Sequence, residues 1–578
     1  MIGLISATAA GASARDRLAA AWPDRTRVYD GPVRDAVRRA FGECEQLVCF
    51  LATGAVVRLV APLLGDKASD PGVVCVDEGG RFAVSLVGGH AGGANELARD
   101  VGEVLGAEPV VTTATDAVDV PGLDTLGLPV EGDVTGVTRA LLDGEPVALE
   151  AEVSWPLPAL PVTHGGHERD ERDEGDGGDE GDYVIRLSDR AVEPAEREVV
   201  LRPPSLVVGV GASKGAPVDE VLGLVEGALR DAGLSVRSVA EVATVDAKAG
   251  EPGIVGAAER LGVPVVTYTA EELAEVTVPN PSDAPLAAVG TPSVAEAAAL
   301  VRGGELLVPK RKSERADGRP AMATCAVVRR PARGRLAVVG LGPGARDLLT
   351  PRARAELRRA SVLVGLDQYV DQIRDLLRPG TRVLQSGLGA EEERARTAVA
   401  EARRGQAVAL IGSGDAGVYA MASPALAEAS DDIDVVGVPG VTAALAAGAI
   451  LGAPLGHDHV SISLSDLHTP WEVIERRVRA AAEADLVVTF YNPRSRGRDW
   501  QLPKALAILA GHREPTTPVG VVRNASRADE SSRLTDLESL DPAIVDMMTV
   551  VTVGNTATRE IAGRMVTPRG YRWQEEDR

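Results

Sequence analysis

The chain repeatedly runs a short apolar segment straight into a glycine-rich turn and then into a helical pattern, and this recurrence is what most restricts its fold. At Ala337-Val-Val-Gly-Leu-Gly-Pro-Gly-Ala345 an apolar strand meets three closely spaced glycines, and Thr350 with Pro351 opens the next helix. Glycine lets the backbone turn tightly and lets a ligand come close; a threonine cap before a first-turn proline is a helix start. The unit recurs at Gln406-Ala-Val-Ala-Leu-Ile-Gly-Ser-Gly-Asp-Ala-Gly-Val-Tyr419 and at Val435-Val-Gly-Val-Pro-Gly-Val-Thr-Ala-Ala444. Strands alternating with helices predict an α/β class. A length of 578 residues exceeds one core, and at about 150 residues per domain it predicts three or four.

Gly340, Gly342 and Ala345 fit the dinucleotide pattern, with Asp367 about where a ribose-binding acid belongs, so the first loop alone leaves NAD and another adenosine-containing ligand open. Pro343 stiffens that loop and the helix begins several residues later, which places its N-terminus badly for a pyrophosphate. The formal charge of -23 argues against nucleic acid, which favours a basic stripe, and against anionic membranes. Aromatics are 3% of residues, so a large planar ligand would be held by aliphatic walls and backbone rather than by ring stacking. Cys44, Cys49, Cys75 and Cys325 show no metal or redox spacing; Cys49 and Cys75 read as small buried hydrophobes, and no metal site is expected. The apolar run Val441 to Gly456 is too short to cross a bilayer. Met1-Ile-Gly-Leu-Ile-Ser-Ala lacks the basic region of a signal peptide and reads as a strand, so a cytoplasmic location is expected.

The three glycine units together resemble the tetrapyrrole methylases, two-domain S-adenosylmethionine enzymes that methylate porphyrinoid rings. Ala453-Pro-Leu-Gly-His-Asp458, Ser463-Leu-Ser-Asp-Leu-His-Thr-Pro-Trp-Glu-Val473, Phe490-Tyr-Asn-Pro-Arg-Ser495 and Val553-Gly-Asn555 narrow the resemblance to the precorrin-3B C-17-methyltransferases, which contract the corrinoid ring. It spans about residues 335 to 560 and implies a two-lobed, class III methyltransferase fold. It also implies S-adenosyl-L-methionine as cofactor, held at Pro343, Gly344, Gly412, Ser413, Gly414, Asp415, Tyr419, Thr442 and Ala443. Asp415 is open to a simpler reading as a turn-former. Ring contraction needs proton movement, for which His457 and Asp458 are candidates; a structural histidine is the alternative. Asp466 is a further polar residue of these motifs. Tyr491, Arg494 and Arg523 are candidate substrate contacts, since guanidinium binds carboxylate bidentately.

The N-terminal part has its own glycine loop, Gly88-Gly-His-Ala-Gly-Gly-Ala-Asn-Glu-Leu-Ala-Arg99, opening a helix, and a hydroxyl cluster at Val110-Val-Thr-Thr-Ala-Thr-Asp116. The free amides expected at that helix start suit a carboxylate or phosphate. With Val207-Val-Gly-Val-Gly-Ala-Ser-Lys-Gly215, Ala243-Thr-Val-Asp-Ala-Lys248, Val289-Gly-Thr-Pro-Ser-Val-Ala-Glu-Ala297 and Leu307-Val-Pro-Lys-Arg-Lys312, this part resembles cobalt-precorrin-5A hydrolase, which opens a δ-lactone and releases acetaldehyde. Under that resemblance His90 is the candidate base with Asp116, Thr115 is a candidate substrate contact, and Lys214 could pair with a substrate acid. The alternative is that the loop only binds a carboxylate.

The expected architecture is therefore multi-domain α/β. Residues 1–155 form the hydrolase-like N-terminal and central region, 160–184 an acidic disordered linker, 203–330 the hydrolase-like C-terminal domain, and 335–565 the tetrapyrrole methylase. The segment His164 to Asp182 is acidic, glycine-rich and free of large apolar residues, so it cannot offset its own ordering entropy. The expected partner is a corrinoid or other tetrapyrrole, with neither nucleic acid nor membrane, in a homodimer. Three alternatives stay open: a methylase with another substrate, a non-catalytic corrinoid-binding N-terminal module, and a nicotinamide-dependent oxidoreductase.

Overall fold

The computed structural model describes residues 1–66, 69–89, 92–112, 119–164, 183–282, 290–314, 320–495 and 497–570. His90, Thr115 and Asp116, and the acidic run from 165 to 182, lie outside the described residues. The rest divides into two compact units, one of residues 1–155, 160–332 and 378–380, the other of residues 156–159, 333–377 and 381–578.

The first unit holds three α/β layers. Its opening sheet joins β1 (Ile2–Ser6), β2 (Thr26–Val28), β3 (Gln46–Phe50), β4 (Gly72–Val76), β5 (Phe82–Val87) and β6 (Glu108–Val110) in the order β2-β1-β3-β4-β5-β6. Every residue of β4 is buried, as befits a strand covered on both faces. The β4–β5 hairpin turns where the sequence placed it, and the Asp77 carboxylate accepts the N–H groups of Gly79, Arg81 and Phe82.

The second sheet comprises β7 (Val130–Gly132), β8 (Val147–Ala151), β9 (Thr163–His164), β10 (Tyr183–Leu187) and β11 (Glu198–Leu201), ordered β7-β11-β10-β8-β9. Strands from both sides of the acidic run thus share one sheet, because β10 pairs with β8 in parallel. In the third sheet β12 (Leu206–Ala212), β13 (Val239–Val245), β14 (Val265–Tyr268), β15 (Glu305–Lys312) and β16 (Ala323–Arg329) are ordered β14-β13-β12-β16-β15. Asp189, fully buried just beyond β10, ties sheet two to sheet three through the Arg329 guanidinium at 2.6 and 2.8 Å and the Ser205 hydroxyl at 2.8 Å.

The second unit has two lobes. One is an all-parallel sheet of β17 (Arg335–Gly340), β18 (Val362–Leu366), β19 (Arg382–Ser386), β20 (Ala407–Gly412) and β21 (Asp434–Val438), ordered β19-β18-β20-β17-β21. Apolar side chains on its two faces feed separate cores, Val338 and Leu410 on one and Val339 and Ile411 on the other. The short β22 (Gly452–Ala453) precedes the other lobe, in which β23 (His459–Ser463), β24 (Val487–Tyr491), β25 (Pro518–Arg523), β26 (Ser531–Asp536) and β27 (Thr549–Val553) are ordered β23-β24-β27-β25-β26. β22 pairs with β29 (Arg564–Val566), which also pairs with β28 (Arg559–Ile561). β24 and β25 both run antiparallel to β27, so their carboxyl ends share one edge.

Burial pushes the Cys49 and Cys325 thiols up to about 12 and raises that of Cys75. All three are buried, inert thiols; for Cys49 and Cys75 this is what the sequence suggested. No helix among the described residues is long and apolar enough to cross a membrane.

Candidate functional site

The three glycine units of the second unit converge. Leu341 donates its N–H to the Gly412 carbonyl at 2.9 Å, and Gly342 and Gly414 exchange N–H···O bonds at 3.0 and 2.7 Å. The third unit closes in behind them: a Cβ on Gly440 would stand 2.1 Å from the Gly414 carbonyl oxygen, and one on Gly340 would stand 2.8 Å from the Gly440 nitrogen. Backbone packed on backbone leaves no room for a side chain at either position. Gly412 differs, since a Cβ there would meet only Ala420 Cβ, at an ordinary contact distance of 3.6 Å. In an open parallel sheet, ligands bind at this place, outside the carboxyl ends of strands where strand order reverses.

Asp415 holds the loops in register. Its carboxylate accepts the N–H of Gly417 at 2.8 Å and that of Gly440 at 3.0 Å. The Pro343 carbonyl is likewise engaged, accepting Arg527 Nε at 3.0 Å. Gly344 sits at φ +142°, with the Arg527 side chain where a Cβ would point. Arg527 follows β25, so the first glycine loop is fastened to the carboxyl edge of the other lobe. Because Gly342 is spent on Gly414, and the next α-helix begins only at Pro351, the loop lacks the dinucleotide geometry; the nicotinamide alternative loses its footing.

Two tyrosines span the lobes at this edge. Tyr419, at φ +53°, donates its hydroxyl to the Ser461 carbonyl at 2.8 Å. Its ring centroid lies 5.2 Å from that of Tyr491, within the range of favourable tilted pairs. The Tyr491 oxygen accepts the Ala444 N–H at 2.8 Å and lies 2.6 Å from Thr442 Oγ1. Thr442 precedes helix Ala443–Leu451 without capping it through its own side chain. Tyr491 therefore takes over the cap, satisfying a first-turn amide from a different lobe. Burial raises the pKa of both phenols, which keeps them neutral donors and acceptors. Asn492 and Asn524, at φ +49° and +51°, also end strands here, and non-glycine residues in the left-handed region concentrate where strain is held for function.

Exposed apolar side chains stand along this edge. Leu388, Tyr419, Leu445, Leu467 and Met547 are exposed, Leu388 by 76% and Leu467 by 71%, and each follows the carboxyl end of a strand or leads into one at the same edge. Contiguous exposed apolar surface marks a binding site, whereas single exposed apolar residues are ordinary. Apart from Tyr419 these exposed residues are aliphatic or thioether. They were not legible in sequence, because no local pattern distinguishes an exposed leucine from a core one; Arg527 and Asn524 also lie in no recognisable motif.

Other predicted residues stand elsewhere or are engaged. His457 and Asp458 precede β23 at its amino end, while β23 meets Tyr491 at its other end, four residues on, about 13 Å along a strand. Both are exposed, and His457 Nδ1 accepts the N–H of Asp458 at 2.7 Å. Asp466 accepts from Gln501 Nε2 at 3.0 Å. Arg494 donates to the Pro542 carbonyl at 3.1 Å. Arg523 is at the shared edge, but Asp546 at 2.8 Å and Asp529 at 3.3 Å already occupy its guanidinium and raise its pKa. In the first unit the expected free amides before helix Ala94–Leu105 are engaged: Ala94 and Asn95 donate to the Gly88 and Gly89 carbonyls at 3.1 and 3.0 Å. The loop folds back on its own helix because Gly72 and Gly92 pack backbone to backbone. Among the described residues no cluster of His, Cys, Asp or Glu could hold a metal.

Residues 335–541 match the Tetrapyrrole (Corrin/Porphyrin) Methylases. The chain is 46% identical over 239 residues to the probable cobalt-factor III C(17)-methyltransferase of Salmonella typhimurium, covering 41% of this chain and 99% of that protein. The chain belongs to the tetrapyrrole methylases. Upstream of its methylase region, residues 35–116 and 206–328 match Cobalamin synthesis G N-terminal and Cobalamin synthesis G C-terminus. This methylase is thus a fusion protein of cobalamin biosynthesis, joining hydrolase-type G domains to a methyltransferase. It is 42% identical over 246 residues to the cobalt-factor III methyltransferase of Priestia megaterium, covering 41% of this chain and 45% of that protein. It is 41% identical over 250 residues to the precorrin-3B C(17)-methyltransferase of Sinorhizobium sp, covering 41% of this chain and 97% of that protein.

Replacing Tyr491 by Phe removes the acceptor of the Ala444 amide. A buried donor left without a partner costs about 1–3 kcal/mol. The expected outcome is a calorimetric transition of the second unit lowered by that amount and S-adenosylhomocysteine binding weakened about ten-fold, with the first unit's transition unmoved.

Proposed function

We propose that the C-terminal half transfers a methyl group from S-adenosyl-L-methionine to C17 of precorrin-3B or its cobalt form, with ring contraction. The N-terminal half, in the same proposal, opens the δ-lactone of cobalt-precorrin-5A and releases acetaldehyde. The observation that carries the first part is the mutual locking of the three glycine loops at the carboxyl ends of their strands, with exposed apolar side chains on the same edge. The residues present fit the cofactor: the loops are glycine backbone rather than bulky side chains, and the neutral hydroxyls of Thr442 and Tyr491 meet next to the Gly414 turn.

When bound, S-adenosylmethionine supplies an electrophilic methyl; the carbon–sulfur bond breaks as the bond to the ring carbon forms. The chain's own contribution is alignment and exclusion of water. Gly412, Ser413, Gly414, Thr442 and Ala443 would hold the cofactor, with Tyr419 closing over it. Asp415, Pro343 and Gly344 shape the loops, the first through its bonds to Gly417 and Gly440 and the others through Arg527. Leu388, Leu445 and Leu467 would carry the macrocycle. Tyr491 is the substrate-side candidate that the geometry favours, and His457 and Asp458 drop out of it. His90, Asp116 and Thr115 remain the proposed hydrolase residues. A cytoplasmic homodimer completes the reading.

The test is incubation with S-adenosylmethionine and precorrin-3B, with and without cobalt, followed by mass and absorbance. A gain of one methyl with a contracted-ring spectrum is expected. Tight S-adenosylhomocysteine binding without turnover would move the substrate elsewhere. Acetaldehyde release from cobalt-precorrin-5A, lost in His90→Ala, tests the other half; unchanged release would remove His90 from it.

A further inference from the structure

Only six of the 61 basic residues of this chain are lysine, and four of the six fall on one edge of the third sheet. Lys214 lies two residues beyond the carboxyl end of β12 and Lys248 three beyond that of β13. Lys310 and Lys312 close β15, which runs parallel to β12 because both are antiparallel to β16. Lys312 pairs with Thr324, and Thr324 with Gly211, so the lysines are level across four adjacent strands, about 15 Å in width.

Where the chain needs a fixed cation it uses arginine locked to carboxylates, as at Arg186, Arg202, Arg329 and Arg403. The lysines of this edge are used differently. Lys214 and Lys312 are exposed and have no carboxylate partner among the described residues. Lys310 Nζ donates to the Asn280 carbonyl at 2.7 Å, and Lys248 Nζ stands 3.7 Å from Glu251. Of the acids here, Glu220 accepts the Ser313 hydroxyl at 2.6 Å and the Met322 N–H at 2.8 Å, Glu251 accepts the Gly215 N–H at 2.6 Å and Asp246 the Ala247 N–H at 2.6 Å; Glu314 is exposed. Glu296 is fully buried beneath the edge and accepts the Lys310 N–H at 2.8 Å together with both donors of Asn280.

Two buried hydroxyls lie near this edge, Thr244 on the face of Val242 and Val210 and Ser293 next to Val294 on the other face. Thr244 Oγ1, one residue before the end of β13, and Ser293 Oγ have no hydrogen-bond partner among the described residues, and both residues are fully buried. Ser293 belongs to this edge, since the neighbouring Val294 Cβ lies 3.4 Å from where a Gly211 Cβ would stand. Unsatisfied buried hydroxyls are costly and need an explanation.

We propose that the carboxyl edge of the third sheet is a binding site for a polycarboxylate, the acid groups of a tetrapyrrole substrate of the N-terminal half, with Lys214 and Lys312 as its mobile cations. The tetrapyrrole identity rests on the function proposed above; the polycarboxylate class rests on the edge itself. A flexible ammonium suits carboxylates spread around a ring better than a planar fork committed to one geometry.

The test compares the full chain with a Lys214→Ala/Lys312→Ala pair, both exposed positions. Binding of uroporphyrin III, a porphyrin octacarboxylate, is followed by Soret absorbance at two ionic strengths, and mellitate serves as a second polycarboxylate without a tetrapyrrole ring. The alanine pair is expected to lose one binding event or weaken it at least ten-fold, with a shallower salt dependence. A Lys214→Arg/Lys312→Arg pair keeps the charge and should stay within three-fold of the parent. Equal stoichiometry, affinity and salt dependence in the alanine pair and the parent would overturn the site. Lysine-dependent binding of mellitate without uroporphyrin III would keep the site and remove the tetrapyrrole reading. Calorimetry with S-adenosylhomocysteine, unchanged in the alanine pair, reports the methylase half separately.

Discussion

Gly440→Ala is expected to disable the methylase half. The added Cβ would stand 2.1 Å from the Gly414 oxygen and 2.8 Å from the Gly340 carbonyl carbon and oxygen. These are backbone atoms of two other loops, so no side-chain rotation relieves the clash, and the three loops must separate. Overpacking of this sort costs about 1–3 kcal/mol, occasionally more. The functional cost should be larger than the stability cost, because the Gly342–Gly414 exchange and the Asp415–Gly440 bond both depend on the close approach. S-adenosylhomocysteine affinity is expected to fall by at least about a hundred-fold, or about 2.7 kcal/mol, as read by calorimetry. Gly437→Ala, where a Cβ meets nothing within 4 Å, should leave binding intact. Equal affinities in the two variants would refute the locked-loop account.

The largest stability loss is expected from Asp189→Ala. Its carboxylate is fully buried, bidentate to Arg329 and bonded to Ser205. Removing one partner of a buried pair strands the other, at about 3–5 kcal/mol. The lower end applies, because Arg329 keeps Glu305 at 2.8 Å. Burial by itself pushes the Asp189 pKa up, but the Arg329 and Ser205 bonds outweigh it and hold the carboxyl below its ordinary value. A carboxylate with a depressed folded pKa contributes stability above its unfolded value, near 3.9, and loses it as pH falls through the folded value. The first calorimetric transition of the parent protein should therefore weaken below about pH 4, while that of the alanine variant, already lower at pH 7, should respond less there. A parent and variant that lose stability in parallel would place the acid sensitivity at other carboxylates.

Several elements of the second unit were legible because their causes are local. Apolar runs ending in glycine became β17, β20 and β21, and the Thr350–Pro351 pair starts its helix as read, with the Thr350 hydroxyl accepting the Ala353 N–H. The second sheet was less legible. Its strands come from both sides of the acidic run, and sequence proximity says nothing about pairing across such a gap. His457 and Asp458 show the same limit: they sit in a recognisable motif, yet the direction of β23 carries them to the end away from Tyr491.

By itself the sequence determined the alternation of strands and helices, the glycine turns, the inert cysteines and the two family resemblances, because each depends on residues close together in the chain. Tertiary structure alone decided that Asp415 and Arg527 serve the loops, that Tyr491 caps a helix of which it is not part, that Arg523 is already paired, and that four scattered lysines share one edge. Those facts depend on which strand ends meet, and strand order is set by packing over distances that no local pattern records.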